Sequence, residues 1–164
     1  MKKIEMGQNN AEVYRVADKI EYVCDSFFRL APTLKGDILF LSPPWGGPGY
    51  ERSGDFKLNM IKPVEGRLLF ETALTITKKI IMYLPKNTDR NELEELTYLT
   101  SPPLDIVIQE NKIGSRIKAI TVYYSEIIED NTPGGKGKTS YFRQKIDEAD
   151  LREGAKYKPP QRRR

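Results

Sequence analysis

The chain has 164 residues, 38% hydrophobic and 30% charged, enough for one core of moderate size. It holds no histidine and a single cysteine, Cys24, which excludes a Ser-His-Asp triad, a histidine-ligated zinc site, imidazole acid–base chemistry and an internal disulfide, and fits a reducing compartment. The net charge is +4, and residues 134–164 carry 10 of the 27 Lys/Arg against 4 of the 23 Asp/Glu, so this stretch supplies all of the excess.

In chain order, residues 2–17 are polar with apolar residues at Ile4, Ala11, Tyr14 and Val16, which predicts a helix. Lys19-Ile20-Glu21-Tyr22-Val23-Cys24 alternates and reads as a strand, with Cys24 a buried structural thiol at its end. A short helix follows. Asp37-Ile38-Leu39-Phe40-Leu41 is an unbroken apolar run, as expected of a strand buried on both faces of a parallel sheet. It stops at Pro43-Pro44, which cannot donate to a ladder, and a Gly- and Pro-rich loop occupies 46–54.

A helix is expected over 65–77, a second buried strand over 78–84, and a short amphipathic helix over 91–99 whose Glu92, Glu94 and Glu95 form a solvated face. Two strands over 104–109 and 117–125 then make a hairpin around a turn near 111–115. Tyr22, Tyr83, Tyr123 and Tyr124 fall in strands, where packing is the default role. Alternating helices and strands predict an α/β fold with a parallel sheet, closed by an antiparallel strand at one side. Residues 1–130 read as the folded domain and 131–164 as a basic, structureless tail. Such a tail suits contact with nucleic acid, a nuclear-import signal or a merely solvated terminus. No apolar run approaches the ~20 residues of a membrane span, and neither a metal nor a membrane is expected as a partner.

In open α/β sheets ligands bind beyond the carboxyl ends of the strands, which points to Ser42-Pro43-Pro44-Trp45-Gly46-Gly47-Pro48-Gly49-Tyr50. Two prolines fix the backbone, so carbonyls and the Ser42 hydroxyl hold set directions and can accept from an amino group. Trp45, the sole tryptophan, offers a flat face to a planar ring, with a cation–π gain if that ring is charged. Gly46 and Gly47 let backbone approach a ligand. The same residues also describe a stiff exit turn with a tryptophan folded onto the core.

This loop resembles the catalytic loop of amino-group methyltransferases that use S-adenosylmethionine, and the longer string SPPWGGPGY resembles the trimethylguanosine synthase family of RNA cap guanosine-N2 methyltransferases. The similarity extends over roughly residues 4–127. It includes Asn9-Asn10-Ala11-Glu12-Val13-Tyr14, Ala17-Asp18-Lys19-Ile20-Glu21, Tyr83-Leu84-Pro85-Lys86-Asn87 and Ile117-Lys118-Ala119-Ile120-Thr121. It implies a Rossmann-like class I S-adenosylmethionine-dependent methyltransferase sheet and two methyl transfers to the N2 amine of 7-methylguanosine caps on small nuclear and nucleolar RNA, in a protein of the nucleus that is shared with the cytoplasm.

The resemblance implies that Trp45 stacks on the methylated base, Ser42 and Pro43 orient the amine, Tyr50 encloses the cap, and Lys86 with Asn87 meets its phosphates. Lys86 stands where the family usually has arginine, so the charge is kept and the bidentate fork is lost. Ser42 and Pro44 would also border the cofactor, and Asp25-Ser26-Phe27 would stand in for the family's Gly-Asp-Phe at the adenine, with serine in the place of the acid. The strand and Gly-rich loop that open such a fold have no counterpart before Lys19, so the expected sheet lacks its first strands and the ribose and methionine half of the cofactor site. Two alternatives remain at this stage: a catalytically dead cap- or RNA-binding fragment, and a methyltransferase for adenine or a protein amide. The latter typically carry Asn or Asp in place of Ser42, and Tyr or Phe in place of Trp45.

Overall fold

The computed structural model describes residues 2–47, 54–130 and 137–152. The chain divides into two compact units, Met1–Leu34 and Lys35–Arg164. The first holds helix α1, Lys2–Val13, a 3-10 turn at Ala17–Lys19, the short helix α2, Phe27–Leu30, and a further 3-10 turn at Ala31–Thr33. The strand expected over 19–24 does not form, and Cys24 is exposed rather than buried. No strand in the described structure pairs with this segment, and unpaired backbone has nothing to gain from extending into a ladder. A side chain fastens it instead: the Tyr22 hydroxyl donates to the Gly7 carbonyl of α1 at 2.7 Å. Gly7 makes that approach possible, because a Cβ there would lie 2.9 Å from the tyrosine ring.

The second unit is built on a four-stranded sheet of order β1-β2-β4-β3, where β1 is Leu39–Leu41, β2 Ile80–Pro85, β3 Asp105–Ile113 and β4 Arg116–Ser125. β1 and β2 are parallel, with Leu39 opposite Ile80 and Leu41 opposite Met82. β4 runs antiparallel to both β2 and β3. Three strands therefore share one direction, and the reversed strand lies between two of them instead of at the side, as the sequence reading had it. The hairpin forms as expected, with its turn at Gly114–Ser115 and a register shift at Asn111/Lys112.

One face of the sheet is buried along its two central strands. Ile80, Met82 and Leu84 of β2 and Ile120, Val122 and Tyr124 of β4 are completely buried. They share this core with Leu69, Phe70 and Ala73 of helix α3, Gly66–Leu74, and with Leu93 of helix α4, Arg90–Glu95. Phe70 meets Tyr124 edge to face at 4.7 Å, a favoured aromatic geometry. The Tyr124 hydroxyl donates to the Leu93 carbonyl at 3.1 Å. Asp89 caps α4 by accepting from the Asn91 amide at 2.9 Å, as an N-cap acid should. Glu92 is not simply solvated, since its carboxylate accepts from the Leu58 amide at 2.6 Å.

The other face is covered only in part. Successive residues on a strand point to opposite sides, so Phe40, Ile81, Tyr83 and Tyr123 lie on the face opposite α3 and α4. Phe40 is 58% exposed and the adjoining Ile38 43%, so β1 is an edge strand and not one buried on both faces. Residues 137–152, read from sequence as part of a structureless tail, form strand β6, Gly137–Ser140, and helix α5, Tyr141–Arg152. β6 pairs antiparallel with β5, Ile127–Asp130. Phe142 is buried against Tyr123 at 5.3 Å, and Lys79 lies over the Tyr141 ring at 4.2 Å. Arg143 donates to both carboxylate oxygens of Asp105, at 2.8 and 3.0 Å, and Ser140 donates to the same carboxylate at 2.6 Å.

Candidate functional site

Ser42 leaves the carboxyl end of β1 exposed, followed by half-buried Pro43, exposed Pro44 and half-buried Trp45. The Pro44 carbonyl accepts from the Lys62 amide at 3.3 Å, which pins the proline pair to the loop before α3. The Trp45 indole N–H donates to the Tyr83 carbonyl at 3.3 Å, and its ring lies 5.4 Å from the Tyr83 ring with their planes 32° apart. The parallel pairing of β1 and β2 makes this possible, because it brings the exit of β1 beside the last turnless residues of β2. Trp45 is thus held on the sheet by a hydrogen bond and a ring contact, yet remains partly accessible. Gly46 and Gly47 adopt φ of +86° and +83°, a left-handed backbone natural to glycine. A side chain added at either would meet nothing within 4 Å, so the requirement is conformational rather than steric.

The loop returns at Phe56, which is fully buried. Its amide donates to the Asn87 carbonyl at 2.8 Å, and its carbonyl accepts from the Asp89 amide at 2.9 Å. The Asn87 side-chain amide donates to the Gly54 carbonyl. Both ends of the Gly-Pro loop are therefore tied to the end of β2, one through Trp45 on Tyr83 and the other through Phe56 on residues 87–89. Lys57 forms an ion pair with Asp89. The hydrogen bond from Lys57 holds the Asp89 carboxyl below its usual range, and the same bond raises the Lys57 ammonium above its own. Lys86 projects exposed from the end of β2.

Ser42, Pro43, Pro44, Trp45, Lys86 and Asn87 are thus gathered at one end of one sheet. Tyr50 lies outside the described residues. Asp25, Ser26 and Phe27 belong to the unit Met1–Leu34. There the Asp25 carboxylate accepts through Oδ1 from the Ser26 amide at 2.6 Å and from the Arg29 guanidinium, and Phe27 packs edge to face on Phe28 at 5.6 Å. Only one oxygen of Asp25 is engaged in these bonds, and a half-buried aromatic ring stands two residues on. An acceptor for the N6 amine and an apolar ring to pack on are what an adenine requires, so these residue types fit that end of a nucleoside cofactor. Among the described residues no group of three or more His, Cys, Asp or Glu converges on a metal position, and no helix is long and apolar enough to cross a membrane.

Sequence reasoning treated Tyr83 as packing alone and overlooked that it carries Trp45. The available signal was its place three residues before Lys86 on a strand running beside the one that delivers the tryptophan.

An aromatic platform at the carboxyl end of a strand, fixed prolines before it and a cation just past the next strand end would suit a planar ring with attached anions. A sequence profile of the RNA cap guanine-N2 methyltransferases matches residues 1–127, and the chain belongs to that family. Its fold class is therefore the Rossmann-like α/β methyltransferase expected above, and S-adenosylmethionine is the general methyl donor of such enzymes. Over 130 residues the chain is 34% identical to a trimethylguanosine synthase of Schizosaccharomyces pombe, covering 75% of this chain and 53% of that protein. Over 94 residues it is 35% identical to a trimethylguanosine synthase of Saccharomyces cerevisiae, covering 54% of this chain and 30% of that protein. The chain spans about half the length of the first relative and less of the second.

Proposed function

We propose that this chain carries the cap-binding and amine-presenting part of an RNA cap guanosine-N2 methyltransferase acting on small nuclear and nucleolar RNA in the nucleus. The observation that supports this most is Trp45, held on Tyr83 at the end of β1 by a hydrogen bond and a ring contact, directly after the proline pair. A 7-methylguanine ring is planar and positively charged, so it gains both stacking and a cation–π contribution on indole. Ser42 and the Pro43 carbonyl stand at the position where the N2 amine would be oriented. Lys86 supplies the charge for the cap phosphates, and Tyr50 is assigned to the enclosure of the base. S-adenosylmethionine, when bound, would supply an electrophilic methyl group on a sulfonium, and Ser42 and Pro44 would border it. Attack by a positioned amine needs mainly proximity and orientation, which suits a chain without histidine.

Ser26, which stands where the family resemblance places an adenine-binding acid, favours a second reading, a cap-binding module that does not itself transfer methyl groups. Both readings require the cap pocket, and the pocket can be tested alone. Trp45 is the sole tryptophan, so its fluorescence reports on the site. Titration with 7-methyl-GTP is expected to quench it, with unmethylated GTP binding about 2- to 30-fold more weakly, as a cation–π contribution of ~0.5–2 kcal/mol requires. Equal or absent quenching by both nucleotides, in a chain folded by circular dichroism, would overturn the proposal.

A further inference from the structure

Beyond the cap site, the same end of the sheet carries an open concavity of about 510 Å³ lined by Lys86, Ser115, Arg116, Ile117 and Lys118. Its position follows from the register. The β2–β4 ladder ends with Pro85 opposite Ala119, so Lys86 and Lys118 are the next residues outward on the two strands. β4 is antiparallel to β2, and following it backward from Ala119 to Arg116 continues in the direction in which β2 runs. The β3–β4 hairpin overhangs the end of β2 here, with Lys112 opposite Ile117 and Ile113 opposite Arg116. Lys118 is the extra residue of the bulge at this register shift, and it lines the concavity together with Arg116. All three cations are exposed, and among the described residues none takes part in an ion pair. The acid on the adjoining strand, Glu110, is already paired with Lys112 at 3.0 Å. No acid lines the concavity.

The result is a cluster. Trp45 is anchored at Tyr83, Lys86 stands in the turn directly past the end of β2, and Lys118 and Arg116 lie outward of Ala119 on β4, around the same concavity. From this arrangement we infer that the concavity holds the phosphodiesters of the RNA nucleotides that follow the capped base, so that the protein grips the transcript and not the cap alone. A single-stranded polyanion matches a group of unpaired cations beyond an aromatic platform, since backbone charge and base stacking are the two contributions such strands offer. The inference rests on the cap reading for its starting point at Trp45. The grip itself depends on Arg116 and Lys118, which that reading does not use.

The test uses the full 164-residue chain with three ligands: 7-methyl-GTP, a 7-methylguanosine-capped RNA of about ten nucleotides, and the same RNA uncapped. Trp45 quenching and the polarisation of a 3′-labelled RNA are read at several salt concentrations. The capped RNA is expected to bind about tenfold or more tightly than 7-methyl-GTP and with a steeper salt dependence. R116Q/K118Q is expected to remove most of that advantage and to reduce the salt slope by about 1.4, at roughly 0.7 per phosphate contact for single strands. K78A serves as the control, because Lys78 is paired with Glu126 at the opposite end of β2. Equal affinity for capped RNA and 7-methyl-GTP in the unaltered chain, a measurement that needs no variant to fold, would overturn the inference and leave the cap reading standing. So would an R116Q/K118Q chain that behaves like K78A. If 7-methyl-GTP fails to quench Trp45 while both RNAs still bind through Arg116 and Lys118, the cap reading falls and the grip on RNA stands. Binding of none of the three ligands would overturn both.

Discussion

Trp45 does two jobs that the sequence reading set against each other. It packs on the sheet through Tyr83, and it remains partly accessible at the end of β1. An indole that is to stack on a ligand must be immobilised first, because side-chain ordering otherwise opposes binding. Tyr83 supplies that immobilisation. Tyr83→Ala is expected to move the Trp45 emission to longer wavelength and to weaken 7-methyl-GTP binding by up to about tenfold, the equivalent of an aromatic pair worth ~0.5–1.5 kcal/mol. An unchanged affinity would show that Tyr83 does not position the indole. Asn87 has a comparable supporting place, since its amide and carbonyl fasten Gly54 and Phe56 at the far end of the same loop.

Among the elements, α5 differs most from expectation. Its sequence is highly charged, and a helix of that kind gains little unless it docks. Docking rests on Phe142 against Tyr123 and on the Asp105 carboxylate. Burial acts to raise the Asp105 carboxyl, but hydrogen bonds from Arg143 and Ser140 and the Arg143 charge outweigh it and hold the group below its usual range. A depressed carboxyl contributes stability above its unfolded value near 3.9 and loses it as pH falls through the lower folded value. The amide resonances of Phe142 and Arg143 should therefore be constant from about pH 7 to pH 5 and shift only below about pH 4. D105N should produce that shift already at neutral pH. Arg143 is about half exposed, so the ion pair is worth less than about 1 kcal/mol, and the local equilibrium changes by no more than about fivefold. Resonances that ignore both acid and the substitution would show that Asp105 does not hold the helix.

On the scale of the whole molecule, the four-stranded sheet of Lys35–Arg164 has one face buried along its central strands and one that is only partly covered. Among the described residues β1 pairs with β2 alone, and Phe40 and Ile38 are exposed beside that edge. An edge strand with exposed apolar residues is a template for association. The purified chain is expected to form larger species as its concentration rises, and F40K to lower their fraction several-fold without changing the circular dichroism. Sedimentation velocity across a concentration series measures this, and equal association of both chains would rule out the β1 edge as its cause.

Much of the fold was legible in the residues themselves. The contiguous apolar runs ending in proline marked β1 and β2, the near-helical spacing of Leu68, Leu69, Ala73, Leu74 and Ile76 marked α3, and the two strand segments around the turn near 111–115 marked the hairpin. The proline pair, Trp45 and its glycines located the candidate site, because fixed φ angles, a flat aromatic and left-handed backbone are properties of those residue types wherever they stand. These are local features, and local chemistry determines them. Tertiary structure alone decided which surface each element meets. It placed β4 between β2 and β3, left Phe40 uncovered, set Tyr83 under Trp45, docked α5 through one aromatic and one carboxylate, and gathered Lys86, Lys118 and Arg116 around one concavity. Periodicity records that a face is apolar or charged, but not its partner. That partner is chosen by packing between residues far apart in the chain, where the same alternating strand can satisfy several neighbours and only the assembled core selects one.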